Sequence, residues 1–154
     1  MTERPGIVEQ LDGFDAQIRR ELDTWLASEE GRVYRHGDLL VTVPDLFRLL
    51  VRLILDDRVP PPVRARLVAA LIAVVSPADF LPESLLGPIG YEDDLLIMAL
   101  VVFRVLEKLP QRVVIENWDG ELNLLHLIPR VLDTAEEMVG PNLWRRLRIW
   151  VGEL

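Results

Sequence analysis

The chain has 154 residues, with 25 acidic against 17 basic side chains, a net charge of -8 and no cysteine. The missing cysteines exclude disulfides, thiolate metal sites and a cysteine nucleophile. The acidity, spread along the whole chain, argues against a nucleic-acid binder, which needs a basic face. Half of the residues are apolar, yet the longest uncharged stretch, Leu67 to Ala78, has only twelve, and a membrane-spanning helix needs about 20.

The first ten residues carry Glu3 and Glu9 and no apolar run, so they do not read as a secretory signal. The expectation is a cytoplasmic protein, and a place at the periphery of the inner membrane is compatible with it. From Ile7 through Leu11, Phe14, Ile18, Leu22, Trp25 and Leu26, apolar residues recur at steps of three and four. That spacing predicts an amphipathic helix ending at Gly31. Arg32 to Arg35 and Leu39 to Val43 are short β-prone runs around His36, Gly37 and Asp38. They leave room for one small β-hairpin near 32–43.

Thr42, with Asp45 three residues on, reads as a capping box opening a helix from Pro44 to Asp56. Pro60, Pro61 and Pro62 break the chain and preset the next helix, Val63 to Val75. A second apolar helix is predicted from about Tyr91 to Leu109, antiparallel to the one before it, with Pro110 as its stop. Arg112 to Trp118 reads as a short helix and Asp119-Gly120 as a turn. Glu121 to Val139 has helical spacing, and Pro129 inside it should kink or split it. Gly140-Pro141 punctuates, and Asn142 is placed to cap a last helix through Val151. In that helix Trp144 and Trp150 accompany Arg145, Arg146 and Arg148. This basic face is expected to dock on Asp133, Glu136 and Glu137 of the preceding helix; the competing reading is contact with anionic lipid. The fold class is therefore all-α: one helical bundle over 1–154, built around an antiparallel apolar hairpin.

The common catalytic signatures are missing. There is no Gly-rich phosphate cradle and no H-E-x-x-H; the only histidines are His36 and His126, and the three serines, Ser28, Ser76 and Ser84, have no histidine nearby in sequence. No cofactor is required by the sequence, and no catalytic residue is assigned. What stands out is the stretch from Ser76 to Asp94, with three prolines, two glycines and the acids Asp79, Glu83, Glu92, Asp93 and Asp94. It is long for a connection between helices, where about 2–8 residues are usual. Acids in the first turn of the Tyr91 helix would meet exposed amides, each worth about 0.3–1 kcal/mol at a surface. Capping accounts for one or two of them, not for three in a row.

The residues Asp57 to Pro60, then Ser76-Pro77-x-Asp79-x-x-Pro82, then Gly90-Tyr91-x-Asp93-Asp94 resemble the YkvA-like family of small bacterial domains of unknown function. The resemblance runs from Asp57 to about Leu106. It departs from the family at Glu83, where aspartate is common. It implies a helical hairpin with the acidic loop at its tip, often set near membranes, and brings no established activity.

Three expectations follow for the acids and the apolar helices. Asp79, Asp93 and Asp94 could serve only as scaffolding, capping helix ends and accepting backbone N–H bonds from the loop, a role that charge-assisted bonds of about 1.5–3 kcal/mol would support. Asp79, Glu83, Asp93 and Asp94 could instead converge on a hard divalent cation, Ca²⁺, Mg²⁺ or Mn²⁺, with metal-assisted hydrolysis as a conceivable extension. The Val63–Val75 and Asp94–Leu109 helices are read first as a core hairpin and otherwise as a face for a protein partner, a second copy or a bilayer surface. On this reading the favoured role is an interaction or scaffold module, with the cation site as its alternative.

Overall fold

The computed structural model describes residues 13–75 and 91–154, and among these there are helices and no strand. In chain order they are α1 (Phe14–Ala27), α2 (Glu29–Arg32), α3 (Gly37–Leu40), α4 (Val43–Leu55), α5 (Pro61–Val75), α6 (Tyr91–Lys108), α7 (Gln111–Glu116), α8 (Leu124–Asp133) and α9 (Ala135–Glu153). None of the described helices is long and apolar enough to cross a membrane.

The centre of the bundle is α6, which packs against α4, α5, α8 and α9. Every residue from Glu92 to Ala99 is buried. Two continuous apolar runs in sequence thus become the core pair, as expected. Val63 and Arg66, from the first turns of α5, share a pocket with Val101, Arg104, Val105 and Lys108, from the second half of α6. The two helices are therefore antiparallel. Leu67, Leu71 and Val74 of α5 meet Leu95, Val102 and Val105 of α6 in one apolar cluster with Phe47, Leu50 and Leu53 of α4. Fully burying a side chain of this size contributes about 1.5–3 kcal/mol, so the pair is core first.

The first part of the chain departs from expectation in three places. The predicted hairpin near 32–43 is absent; α2 and α3 stand there instead. Leu39 and Leu40 are adjacent and both fully buried. A strand would send neighbours to opposite faces, so core burial overrides local β-propensity. Nor does Gly31 end the first helix. Ser28 does so, and its Oγ then caps α2 by accepting from the Gly31 amide at 3.2 Å. Gly31 is required for another reason: a Cβ there would stand 2.0 Å from the Trp25 carbonyl oxygen. The part of the predicted helix before Gly13 lies outside the described residues.

Thr42 is not the cap of a capping box. Its Oγ1 donates back to the Leu39 carbonyl at 2.6 Å, and its own backbone is already helical. Asp45 is freed to bond Arg19 at 2.9 Å and Arg48 at 2.7 Å.

The second half also shifts its boundaries. Asn123, accepting from the Leu125 amide at 2.9 Å, starts α8 at Leu124. Pro129 falls inside that helix without splitting it. The break comes at Thr134, whose Oγ1 donates to the Val131 carbonyl at 2.9 Å. Gly140, at φ 84°, interrupts α9 as its Gly-Pro pair predicts; that backbone region favours glycine. Pro141, not Asn142, opens the second half of the helix. The last helix does dock into the fold, through buried Trp144, Leu147 and Val151, and its chief neighbour is α6. The expected ion pairing with Asp133, Glu136 and Glu137 does not form among the described residues. Glu137 turns to Arg35 at 3.3 Å, while the Arg148 guanidinium lies 5.4 Å above the Trp144 ring.

Candidate functional site

The sequence Tyr91-Glu92-Asp93-Asp94 forms the first turn of α6, and the fold buries it. Exposed amides and the helix dipole favour acids at such a place by less than about 1 kcal/mol each. Removing a carboxylate from water costs several kcal/mol unless a charge or hydrogen bonds replace the lost hydration. The three acids meet this demand differently.

Glu92 is 5% exposed and accepts a hydrogen bond from the Tyr34 hydroxyl. Tyr34 packs edge-on against Trp25 of α1, with ring centroids 5.4 Å apart, and against His36 at 5.9 Å. Burial raises the Glu92 carboxyl above its ordinary range, while the Tyr34 bond and the nearby His36 pull the other way. One residue earlier, the Tyr91 hydroxyl donates to Glu21 of α1. The turn is thus fastened to the N-terminal part of the fold by two tyrosines, one on each side of the contact.

Among the described residues, Asp93 and Asp94 have no such partners. Asp93 is 0% exposed, and among the described residues neither of its carboxylate oxygens meets a hydrogen-bond donor. Asp94, at 6% exposure, leaves Oδ1 in the same condition. Burial, reinforced by the adjacent Glu92 carboxylate, pushes Asp93 up to about 7. Burial and the Asp93 carboxylate push Asp94 well above the usual carboxylate range. Asp93 with both carboxylate oxygens unpartnered, followed by Asp94 with one, can hold a proton or bind a cation.

Of the four acids singled out in sequence, Asp93 and Asp94 come together here, and Asp79 and Glu83 lie outside the described residues. The scaffolding expectation has Asp79, Asp93 and Asp94 accept backbone amides of the loop, and the loop lies outside the described residues; among the described residues both oxygens of Asp93 and Oδ1 of Asp94 are without a hydrogen-bond partner. Likewise, no group of three or more potential ligands is assembled among the described residues.

A second polar cluster was not foreseen. Arg48 of α4 donates to Asp15 of α1 at 2.8 Å, to Asp45 at 2.7 Å and to Asp119 of the α7–α8 connection at 2.7 Å. Arg52 adds a pair to Asp119 at 3.2 Å. The α7–α8 connection is shaped by Gly120, where a Cβ would stand 2.2 Å from the Trp118 ring. The Trp118 indole N–H donates to the Leu122 carbonyl at 2.8 Å.

Comparison with known proteins covers the same ground. An uncharacterised protein, ORF9 of Methanothermobacter thermautotrophicus, is 27% identical over 117 residues, which is 75% of this chain and 80% of that protein. A match of that length reaches well beyond the α5–α6 pair. No solved structure matches. The family model described as "Protein of unknown function (DUF1232)" matches residues 63–100. Over those residues, from α5 through the acidic turn and half of α6, the chain carries a YkvA-like DUF1232 segment, whose family function is unknown.

Proposed function

We propose that the acidic turn of α6 is a binding site for a hard divalent cation, carried on a helical scaffold. The observation that supports this reading is Asp93, fully buried with both carboxylate oxygens unpartnered among the described residues, beside Asp94 with one more. Oxygen-rich carboxylate sets suit Ca²⁺, Mg²⁺ and Mn²⁺, and a cation would replace the solvation that burial has removed. Asp79 and Glu83, close by in sequence, are proposed as further ligands. The proposal is for binding; no substrate and no catalytic residue accompany it.

Titration of the purified protein with CaCl₂, MgCl₂ and MnCl₂ tests it, by calorimetry and by thermal unfolding at pH 8. Binding that spares the unfolded chain stabilises by about 2.7 kcal/mol at one hundred times Kd, so one of the three salts should raise Tm by several degrees. The Asp93→Asn/Asp94→Asn variant should show neither heat nor shift. Absence of both with all three salts in the unaltered protein would sink the reading.

A second reading, an interaction module, draws support from a different observation. The α5–α6 pair is core, yet Val68 and Ile72, one turn apart on α5, are 38% and 58% exposed, and Phe103 on α6 is 45% exposed. These side chains offer an apolar face to a protein partner or a second copy. Sedimentation of the protein and of Ile72→Glu tests self-association. A concentration-dependent dimer that the substitution abolishes is the expected result, and a monomer at all concentrations removes the second copy as occupant.

A further inference from the structure

We infer that cation binding at Asp93 and Asp94 is coupled to the docking of α1, through the two tyrosine contacts that the same helical turn makes with the N-terminal part of the chain. The inference rests on the cation reading above and extends it from a site to a switch.

Tyr91, Glu92, Asp93 and Asp94 are consecutive in the first turn of α6. Any ligand that fixes the two aspartates therefore fixes the backbone that carries Tyr91 and Glu92. Tyr91 donates to Glu21, which lies on α1. Glu92 accepts from Tyr34, whose ring packs on Trp25, also on α1. The two contacts thus reach α1 from neighbouring points of one turn.

What makes α1 responsive is its shallow anchorage. Its fully buried side chains are Ile18 and Leu22, whereas α6 buries eleven residues. Beyond these it is held by packing of Phe14 and Trp25 on the core and by ion pairs from Arg19 and Asp15 at the surface. Helices held by few apolar contacts open locally well below the cost of global unfolding. One hydrogen bond, from Tyr91 to Glu21, and the packing of Tyr34 on Trp25 add to that small attachment. The thermodynamic consequence is reciprocal: if the cation favours docked α1, docked α1 favours the cation by the same factor.

Amide hydrogen exchange of the full chain, with and without whichever of Ca²⁺, Mg²⁺ or Mn²⁺ raises Tm, reads this coupling directly. Exchange over residues 14–27 should slow by about tenfold, within the usual span of site-to-site coupling, with less change in α8. In Tyr34→Phe/Tyr91→Phe, which keeps both rings, the α1 effect should vanish and cation affinity should fall by the same tenfold. Cation binding with α1 exchange unchanged, or slowed equally in α1 and α8, or slowed to the same degree in the double variant, would overturn the coupling and leave the site standing. No thermal shift in the unaltered protein would overturn the site and the coupling together.

Discussion

Around Arg48, three aspartates from distant parts of the chain share one guanidinium near the surface, whereas at the start of α6 three consecutive acids are buried without an ion pair among the described residues. In the first cluster each carboxylate keeps some water and gains a cation: the side chains of Asp15, Asp45 and Asp119 are 18%, 16% and 39% exposed. The Arg48 contacts hold Asp119 below the ordinary carboxylate range. In the second cluster burial raises Glu92, Asp93 and Asp94 alike. The difference separates two uses of acidity. The Arg48 cluster ties α1, α4 and the α7–α8 connection together and is complete as it stands. The α6 turn is incomplete: its charge demands a proton or a cation that the described side chains do not supply.

The comparison is broken most forcefully by pH. For Asp93 the folded value, about 7, lies above the ordinary 3.8. Between these values the folded chain holds a proton that the unfolded chain has released, so stability falls as pH rises. The contribution is fully present below about pH 4 and lost above about pH 7. At about 1.4 kcal/mol per pKa unit, the loss from Asp93 alone is on the order of 4 kcal/mol. Urea unfolding from pH 4 to 8, in the presence of a chelator, should show this decline. Asp93→Asn should make it shallower, Asp94 still contributing in the same direction, and leave the variant more stable than the unaltered protein at pH 8. A parallel pH profile for the two would mean that Asp93 is solvated or paired after all, and the contrast with the Arg48 cluster would dissolve.

Sequence reasoning reached the two clusters unequally. The α5–α6 pair was legible because its apolar runs are long and bounded by proline, at Pro60–Pro62 and at Pro110. The surplus of acids after Gly90 was legible because capping explains only part of it. The partners of those acids were not. Tyr34 is 58 residues from Glu92, and Glu21 is 70 residues from Tyr91; no local pattern announces such a pair. The same holds for Arg48 and Asp119, 71 residues apart. Asp45 was visible, but its local role in a capping box is the one it does not play, because Thr42 bonds backward and two arginines claim the carboxylate. Near 32–43 the β-prone residues pointed the wrong way for a related reason: the burial of Leu39 and Leu40 against the rest of the fold is decided by tertiary contacts.

The smaller effect is expected where the charges are matched. Arg48→Met keeps the length of the aliphatic stem and removes the guanidinium, leaving Asp15, Asp45 and Asp119 with fewer partners. Exposed pairs are worth about 0.2–1 kcal/mol, and removing one member of a buried pair costs about 3–5. With Arg48 itself 28% exposed, the cost falls between those limits, at about 2 kcal/mol. Asp45 retains Arg19, and Asp119 retains Arg52, which keeps the figure from the upper end. Because the cluster is partly wet, added salt should shrink the difference between variant and parent. Urea midpoints at low salt and at 1 M NaCl measure both terms. A salt-independent loss of the same size would assign the effect to packing of the arginine stem, and a loss near zero would reduce the cluster to surface pairing. In either case the buried turn of α6 would no longer have a matched counterpart in this fold, because what defines the Arg48 cluster is that its stability comes from the charges it brings together.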